Sequence, residues 1–362
     1  MHVDGNTLVN GSGQQMRLLG VDVTGTEDAC IQDGGFSWGS SNTPAEDAAT
    51  AAGIASWHMN AVRIPLNEDC WLGINGSPAA FSGSNYQAAI EGWVSALNAD
   101  GIYAILDLQY SAPGSYSADG QAPMADEDHS PTFWSSVATT FKSNPAVIFD
   151  LFNEPTLGDP NGETSTPAWT CWLNGCTVTD PDTGAGTVTY TSAGMQQLVD
   201  VVRATGATQP LMLGGLEYAG DPCGYNENLG DDVPCPEISN LPVDPLHQLI
   251  ISFHAYTTSN DTSVASWNYN LAQLNAANIP MVTGELGEDD CSTGYMNQYM
   301  AWADANDISY LAWAWQPSQA TTCVDGGLVN FQLLQNYNGT PSTVSPQGSN
   351  YKAHLALVDS SE

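Results

Sequence analysis

Short apolar runs alternate with longer, helically periodic segments eight times along this chain. Strand character is predicted over residues 17–23, 61–65, 102–108, 147–152, 211–214, 249–254, 281–285 and 310–315. Helices are predicted near 45–56, 86–100, 131–142, 192–205, 263–278, 295–306 and 347–357. The Pro-rich connection 221–248 shows no clear helix. An eightfold strand–helix alternation predicts an α/β fold, a closed (β/α)8 TIM barrel, over an open doubly wound sheet. A Gly-rich phosphate turn after the first strand, which an open dinucleotide-binding sheet needs, is missing. Turn signals at Asp4-Gly5 and Asn10-Gly11 separate short alternating runs and predict a small N-terminal β-hairpin closing the barrel floor. Loops rich in Gly, Ser, Thr, Asn and Pro at 156–190 and 215–245 should shape a groove. With no linker in view, residues 1–362 are expected to form one domain.

The charge balance narrows the partners. Asp and Glu total 40, an ordinary share of 362 residues, while Lys and Arg total only 5, so the net charge of -35 arises from missing bases. Such a field repels nucleic acid and anionic membranes, and neither is expected as a partner. No run approaches the ~18 apolar residues of a membrane helix. With few bases left to charge, protonation of the carboxylates leaves little self-repulsion. An extracellular protein working at acid pH is the expectation, with salt adaptation as the rival.

Eight cysteines, an even number, agree with an oxidising compartment. Each follows a predicted strand and none falls inside a predicted strand or helix, which places disulfides in the loops of one rim. Loop adjacency suggests Cys30–Cys70, Cys171–Cys176, Cys223–Cys235 and Cys291–Cys323, although eight cysteines allow 105 arrangements. Zinc is disfavoured, because no CxxC pair or HExxH is present.

Two of the strand-like runs end in glutamate: Val147-Ile-Phe-Asp-Leu-Phe-Asn153-Glu154-Pro155 and Met281-Val-Thr-Gly284-Glu285-Leu286. Carboxyls delivered by strands four and seven to the same end of a barrel can face each other across its mouth. That arrangement suits cleavage of a sugar acetal. Helix capping or pairing with a base is the bland reading, and five bases leave little room for it. Arg63, at the end of the second strand, would hold a neighbouring carboxylate ionised, or else form an ordinary core ion pair. His254 and Tyr256 close strand six, where they can bond a nucleophile or a sugar. Asn153 can bond a sugar 2-hydroxyl. Trp313 and Trp315 alternate on strand eight and offer an indole floor, or core filling for one of them. Trp38, Trp71, Tyr110, Trp169, Trp172, Tyr218 and Trp267 are candidates for lining the rim, or for plain packing.

With Asn-Ala-Val-Arg63-Ile-Pro-Leu, Asn153-Glu154-Pro155, His254-x-Tyr256, Gly284-Glu285 and a Trp after strand eight, the chain resembles glycoside hydrolase family five, the cellulase-like barrel enzymes, over nearly its whole length. The resemblance implies that Glu154 is the acid/base and Glu285 the nucleophile of a retaining enzyme. It implies Arg63, Asn153, His254 and Tyr256 in support, and Trp315 or Trp313 as the floor of the cleavage subsite. The third strand of that family usually ends in histidine, whereas this chain has Gln109, which hydrogen-bonds but carries no charge. The expected substrate is a β-linked polysaccharide, foremost through endo-β-1,4-glucanase action. A β-mannanase or other β-glycosidase of the same family, or a sugar-binding barrel without turnover, are the alternatives. No metal or organic cofactor is required by that chemistry, and a secreted monomer is expected.

Overall fold

The computed structural model describes the chain except residues 33, 37–42, 158–165, 184–185, 224–234, 260, 319, 328–330 and 360–362. Three short antiparallel strands, β1 (His2–Asp4), β2 (Thr7–Val9) and β3 (Gln15–Met16), pair in that order at the N-terminus, one strand more than the predicted hairpin. The barrel follows with β4 (Leu19–Asp22), β5 (Ala61–Asn67), β6 (Tyr103–Tyr110) and β7 (Val147–Asp150). An antiparallel hairpin, β8 (Thr177–Thr183) and β9 (Gly186–Thr191), interrupts it. The barrel then resumes with β10 (Leu211–Gly214), β11 (Leu249–Tyr256), β12 (Met281–Gly287) and β13 (Ser309–Ala312). The eight barrel strands are all parallel, and β7 pairs with β10 to close the cylinder. A last pair, β14 (Leu334–Asn336) and β15 (Thr340–Pro341), precedes the C-terminal helix Gln347–Asp359.

The expected (β/α)8 architecture is therefore present, and most predicted elements lie within a few residues of their observed spans. The segment 156–190 differs from its expected loop. It carries a helix, Thr166–Asn174, and the β8–β9 hairpin. Its Thr-Val-Thr and Thr-Val-Thr-Tyr-Thr runs alternate β-branched residues with period two, a strand signal in its own right. The connection 221–248 contains one helical turn, Pro236–Ser239. All four cysteine pairs form as loop adjacency suggested. Three of the cysteines sit in short helices rather than loops: Cys30 in Ala29–Gln32, Cys70 in Glu68–Leu72 and Cys171 in Thr166–Asn174.

Alternation along the barrel strands sorts the interior into layers. At the floor, Leu18, Ala61, Ile105, Ile148, Met212, Ile250, Val282 and Leu311 fill the cylinder together with Val3 and Leu8 of the N-terminal sheet. The next outward-facing residues, such as Val62, Leu106 and Phe149, pack in the larger cluster with the surrounding helices. Two positions above the floor the interior turns polar, with Arg63 on β5, Asp107 on β6 and Asp150 on β7. An apolar plug thus supports a charged layer near the C-terminal ends of the strands.

Candidate active site

Arg63 occupies the centre of that layer and is completely buried. Its Nε donates to Asp150 Oδ2 at 2.9 Å, and Nη1 to Glu285 Oε1 at 2.8 Å and Asp22 Oδ1 at 3.3 Å. Nη2 donates to Asn153 Oδ1 at 2.8 Å and approaches Asp107 Oδ1 at 3.1 Å. Burial by itself would lower the guanidinium pKa, but the surrounding acids raise it well above its usual value, so Arg63 stays charged. One positive charge cannot neutralise four carboxylates. Burial accordingly pushes Asp22 and Asp107 well up, against the pull of Arg63, and raises Asp150 as well. Asp107 Oδ1 meets only Arg63, and Oδ2 has no hydrogen-bond partner among the described residues, so little in the site holds Asp107 ionised against its burial.

Glu285 reaches this layer because of an irregularity in β12. Pairing with β11 runs Val282 to Ser252 and Thr283 to Phe253, then skips to Glu285 opposite His254. Gly284 is the extra residue of a β-bulge. A Cβ there would lie 2.6 Å from Ser252 Oγ and 3.2 Å from His254 Nε2. Only glycine fits so close an approach.

Both glutamates are held at both oxygens. Glu285 Oε1 accepts from Arg63, and Oε2 accepts from the Tyr256 hydroxyl. Burial, reinforced by the charges of Glu285 and Glu154, raises the Tyr256 pKa well above its ordinary value, so the phenol remains a donor. Glu154 Oε1 lies 2.8 Å from His254 Nδ1, and Oε2 accepts from Gln121 Nε2 at 3.1 Å. His254 Nδ1 also stands 3.7 Å from Glu285 Oε2. One oxygen of each glutamate and the imidazole nitrogen all lie within 4.8 Å of one another. Glu154 is the more accessible, with a side-chain exposure of 17% against 5% for Glu285.

Glu154, Glu285, Arg63, Asn153, His254 and Tyr256 are thus gathered into one network. Gln109 is buried at the end of β6, and its Oε1 has no partner, as is also true of Asn153 Nδ2. The two tryptophans of the last strand separate. Trp313 is half-buried beyond the end of β13, while Trp315 is 1% exposed and packs edge-on against Trp57, 4.9 Å between centroids. Among the candidate rim aromatics, Trp71, Trp169, Trp172 and Trp267 are core residues, Tyr110 is half-buried and Tyr218 is exposed. Trp38 lies outside the described residues. Sequence reasoning missed Gln121, which sits in an irregular loop with no motif around it, and the acids Asp22, Asp107 and Asp150. Those acids had a signal: each is a lone charge two positions beyond a floor residue or its strand equivalent.

A barrel with two facing carboxyls at its mouth defines the class as a barrel-type glycoside hydrolase. A family model described as Cellulase (glycosyl hydrolase family 5) matches residues 9–319, and the chain belongs to that family. It is accordingly a hydrolase of glycosidic bonds. Endoglucanase 1 of Robillarda sp. (strain Y-20) is 25% identical over 297 residues, covering 75% of this chain and 69% of that protein. The fold is shared with an endo-beta-1,4-glucanase from Xanthomonas axonopodis pv. citri, at TM-score 0.63, 22% identity and coverage of 95% of this chain and 99% of that one. It is shared too with the catalytic domain of a mannanase from Streptomyces sp. SirexAA-E, at TM-score 0.59, 19% identity and coverage of 96% and 88%.

Proposed function

We propose that this enzyme is a retaining endo-β-1,4-glucanase in which Glu154 is the acid/base and Glu285 the nucleophile. The observation that carries the reading is the separation of the two carboxyls, whose nearest oxygens fall within 4.8 Å. Retaining glycosidases hold theirs about 5–5.5 Å apart, whereas inverting ones need about 6.5–9.5 Å to admit a water between them. Glu285 attacks the anomeric carbon as Glu154 gives its proton to the departing glycosidic oxygen. The C–O bond to the leaving sugar breaks, and a glycosyl ester forms on Glu285. Glu154, now ionised, takes a proton from water, whose oxygen attacks the same carbon and releases Glu285.

The roles follow from the contacts. Arg63 holds one oxygen of Glu285 by a charge-assisted hydrogen bond, and Tyr256 orients its second oxygen. His254 and Gln121 fix the Glu154 carboxyl from two sides. The amide Nδ2 of Asn153, with no partner among the described residues, is a donor for the sugar 2-hydroxyl. Trp313 is the more suitable floor for the cleaved sugar, because Trp315 is enclosed by the core.

The wider setting forms part of the same proposal: a secreted, monomeric, single-domain enzyme adapted to acid. Four disulfides support an oxidising compartment. The net charge of -35 disfavours nucleic acid and anionic membranes, and among the described residues no helix is long and apolar enough to cross a membrane. Reducing-sugar release from carboxymethylcellulose, β-glucan, galactomannan and aryl-β-glycosides over a pH range tests substrate and acidity together. Carboxymethylcellulose or β-glucan should be cleaved fastest, below neutral pH. A galactomannan preference would move the enzyme to the mannanases, and no turnover on any substrate would leave a sugar-binding barrel. Early NMR of the product anomer should show retention, and inversion would sink the double displacement.

A further inference from the structure

A second group of acids joins the loops that follow β5 and β6. Glu68 opens the short helix Glu68–Leu72 directly after β5, and Asp126 and His129 precede the helix Ser130–Phe141. One oxygen of Glu68, one of Asp126 and a ring nitrogen of His129 lie within 4.8 Å of one another. His129 Nδ1 is 3.8 Å from Glu68 Oε1 and 3.6 Å from Asp126 Oδ1, and it lies in hydrogen-bond contact with the Ala112 carbonyl oxygen at 3.1 Å, as a donor unless a cation takes the place of its proton.

Both carboxyls are completely buried, with 0% exposure. Ser130 Oγ lies within reach of one oxygen of each but has a single proton to give, so with the His129 amide at most two of the four oxygens accept from these donors. Ser130 Oγ reaches Glu68 Oε2 at 2.6 Å and Asp126 Oδ2 at 3.2 Å, and the His129 amide donates to Asp126 Oδ1 at 2.8 Å. Glu68 Oε1, the oxygen that faces the imidazole, has no hydrogen-bond partner among the described residues. No lysine or arginine supplies the missing charge, because all five of the chain are engaged elsewhere. Arg17 pairs with Asp304, Arg203 with Asp244, and Arg63 holds the catalytic layer. Lys142 donates to the Thr205 carbonyl, and Lys352 lies over the Trp57 ring. Two carboxyls buried this close either share a proton or take a cation between them.

We propose that Glu68, Asp126 and His129, with the carbonyl of Ala112, bind a divalent cation of the Mn2+ or Zn2+ type. The ring nitrogen stands 3.8 and 3.6 Å from the two carboxyl oxygens, close to the separation of ligands that share an ion at about 2–2.5 Å. One imidazole among oxygens suits a borderline transition metal better than Ca2+, which takes oxygen alone. Metal on Nδ1 puts the ring proton on Nε2, and that nitrogen faces Asp128 Oδ2 at 4.0 Å. That separation is longer than a hydrogen bond, and the Ser130 hydroxyl can orient one of the two acids. The ion would tie the turn after β5 to the loop that carries Gln121 against Glu154. It would be structural, and the site stands whether or not the proposed reaction does.

Calorimetric titration of the full chain, freed of metal by chelation and gel filtration, decides the matter with Mn2+, Zn2+ or Ca2+ alone at pH 6.5. One equivalent of Mn2+ or Zn2+ should bind and raise Tm by several degrees, with Ca2+ at least about tenfold weaker. His129→Ala and Glu68→Gln, each checked for native circular dichroism, should weaken binding by about 10–100-fold or more. Should one variant not fold, the other carries the comparison. Absence of a stoichiometric site in the wild type overturns the proposal, as does unchanged affinity in the folded variants or a preference for Ca2+. A metal-free Glu68→Gln that melts higher than a wild type showing no binding would mean that the two acids share a proton instead.

Discussion

Thr283 and Glu285 stand two residues apart on β12 yet face opposite sides of the barrel wall. Thr283 Oγ1 meets the Tyr299 hydroxyl of the outer helix Gly294–Ala305 at 2.5 Å, while Glu285 Oε1 meets Arg63 at the barrel centre. In a regular strand, residues i and i+2 share a face, so Glu285 would follow Thr283 outward. The bulge at Gly284 turns it in.

A side chain at position 284 should therefore damage the site more than the fold. In Gly284→Ala the new Cβ meets Ser252 Oγ, and kcat/KM should fall at least about tenfold, with a Tm loss of a few degrees. Adding Ser252→Ala relieves the closest contact and should restore part of the rate. A wild-type rate in Gly284→Ala alone would mean that the bulge does not place Glu285.

The two proposed catalytic carboxyls should behave differently. Glu285→Gln should lower turnover of polysaccharide by at least about a thousandfold and leave binding, read by calorimetry, nearly intact. Glu154→Gln should lose most on natural substrates and least on aryl glycosides whose leaving groups need no proton. Equal losses on both substrates would reverse or remove the acid assignment.

Trp313 and Trp315 separate function from packing. Trp313→Ala should cut kcat/KM about tenfold or more at nearly constant Tm. Trp315→Ala opens a cavity beside Trp57 and should cost about 3–5 kcal/mol of stability. The opposite pattern, read by kinetics and melting together, would exchange the two assignments.

Stability should fall as pH rises, and the sign follows from the buried acids. Burial raises Glu27 and Asp261 to about 8, and pushes Glu237, Asp22 and Asp107 well above the usual carboxylate range. The folded chain therefore keeps protons that the unfolded chain releases between about pH 4 and 8, so unfolding is progressively favoured across that window. Opposing them, Asp244 is lowered: burial pulls it up, but hydrogen bonds from Arg203 and nearby amides outweigh it. Its contribution is lost only below about pH 4. Tm should be highest near pH 4 and decline toward pH 8. Asp107→Asn, which mimics the protonated acid, should flatten part of that decline. A Tm that rises toward pH 8 would contradict the protonated interior.

Much of the fold was legible because its determinants are local. Strand and helix periodicity marks each barrel unit, and cysteines in neighbouring loops have few partners within reach. Trp71, Trp169, Trp172 and Trp267 were ambiguous for the opposite reason. A loop-adjacent aromatic looks the same whether it lines a groove or fills a core, and here all four are buried.

By itself the sequence determined the cylinder and the two glutamates at its strand ends and suggested the disulfide pairs, since period, spacing and residue type are written along one dimension. Only the tertiary structure decided that Glu285 turns inward, that Gln121 reaches Glu154 from a loop 33 residues away, and that Asp22, Asp107 and Asp150 share one guanidinium. Each of those depends on register between strands and on burial, which set where a side chain points and whether it keeps its proton, and neither is fixed until the barrel closes.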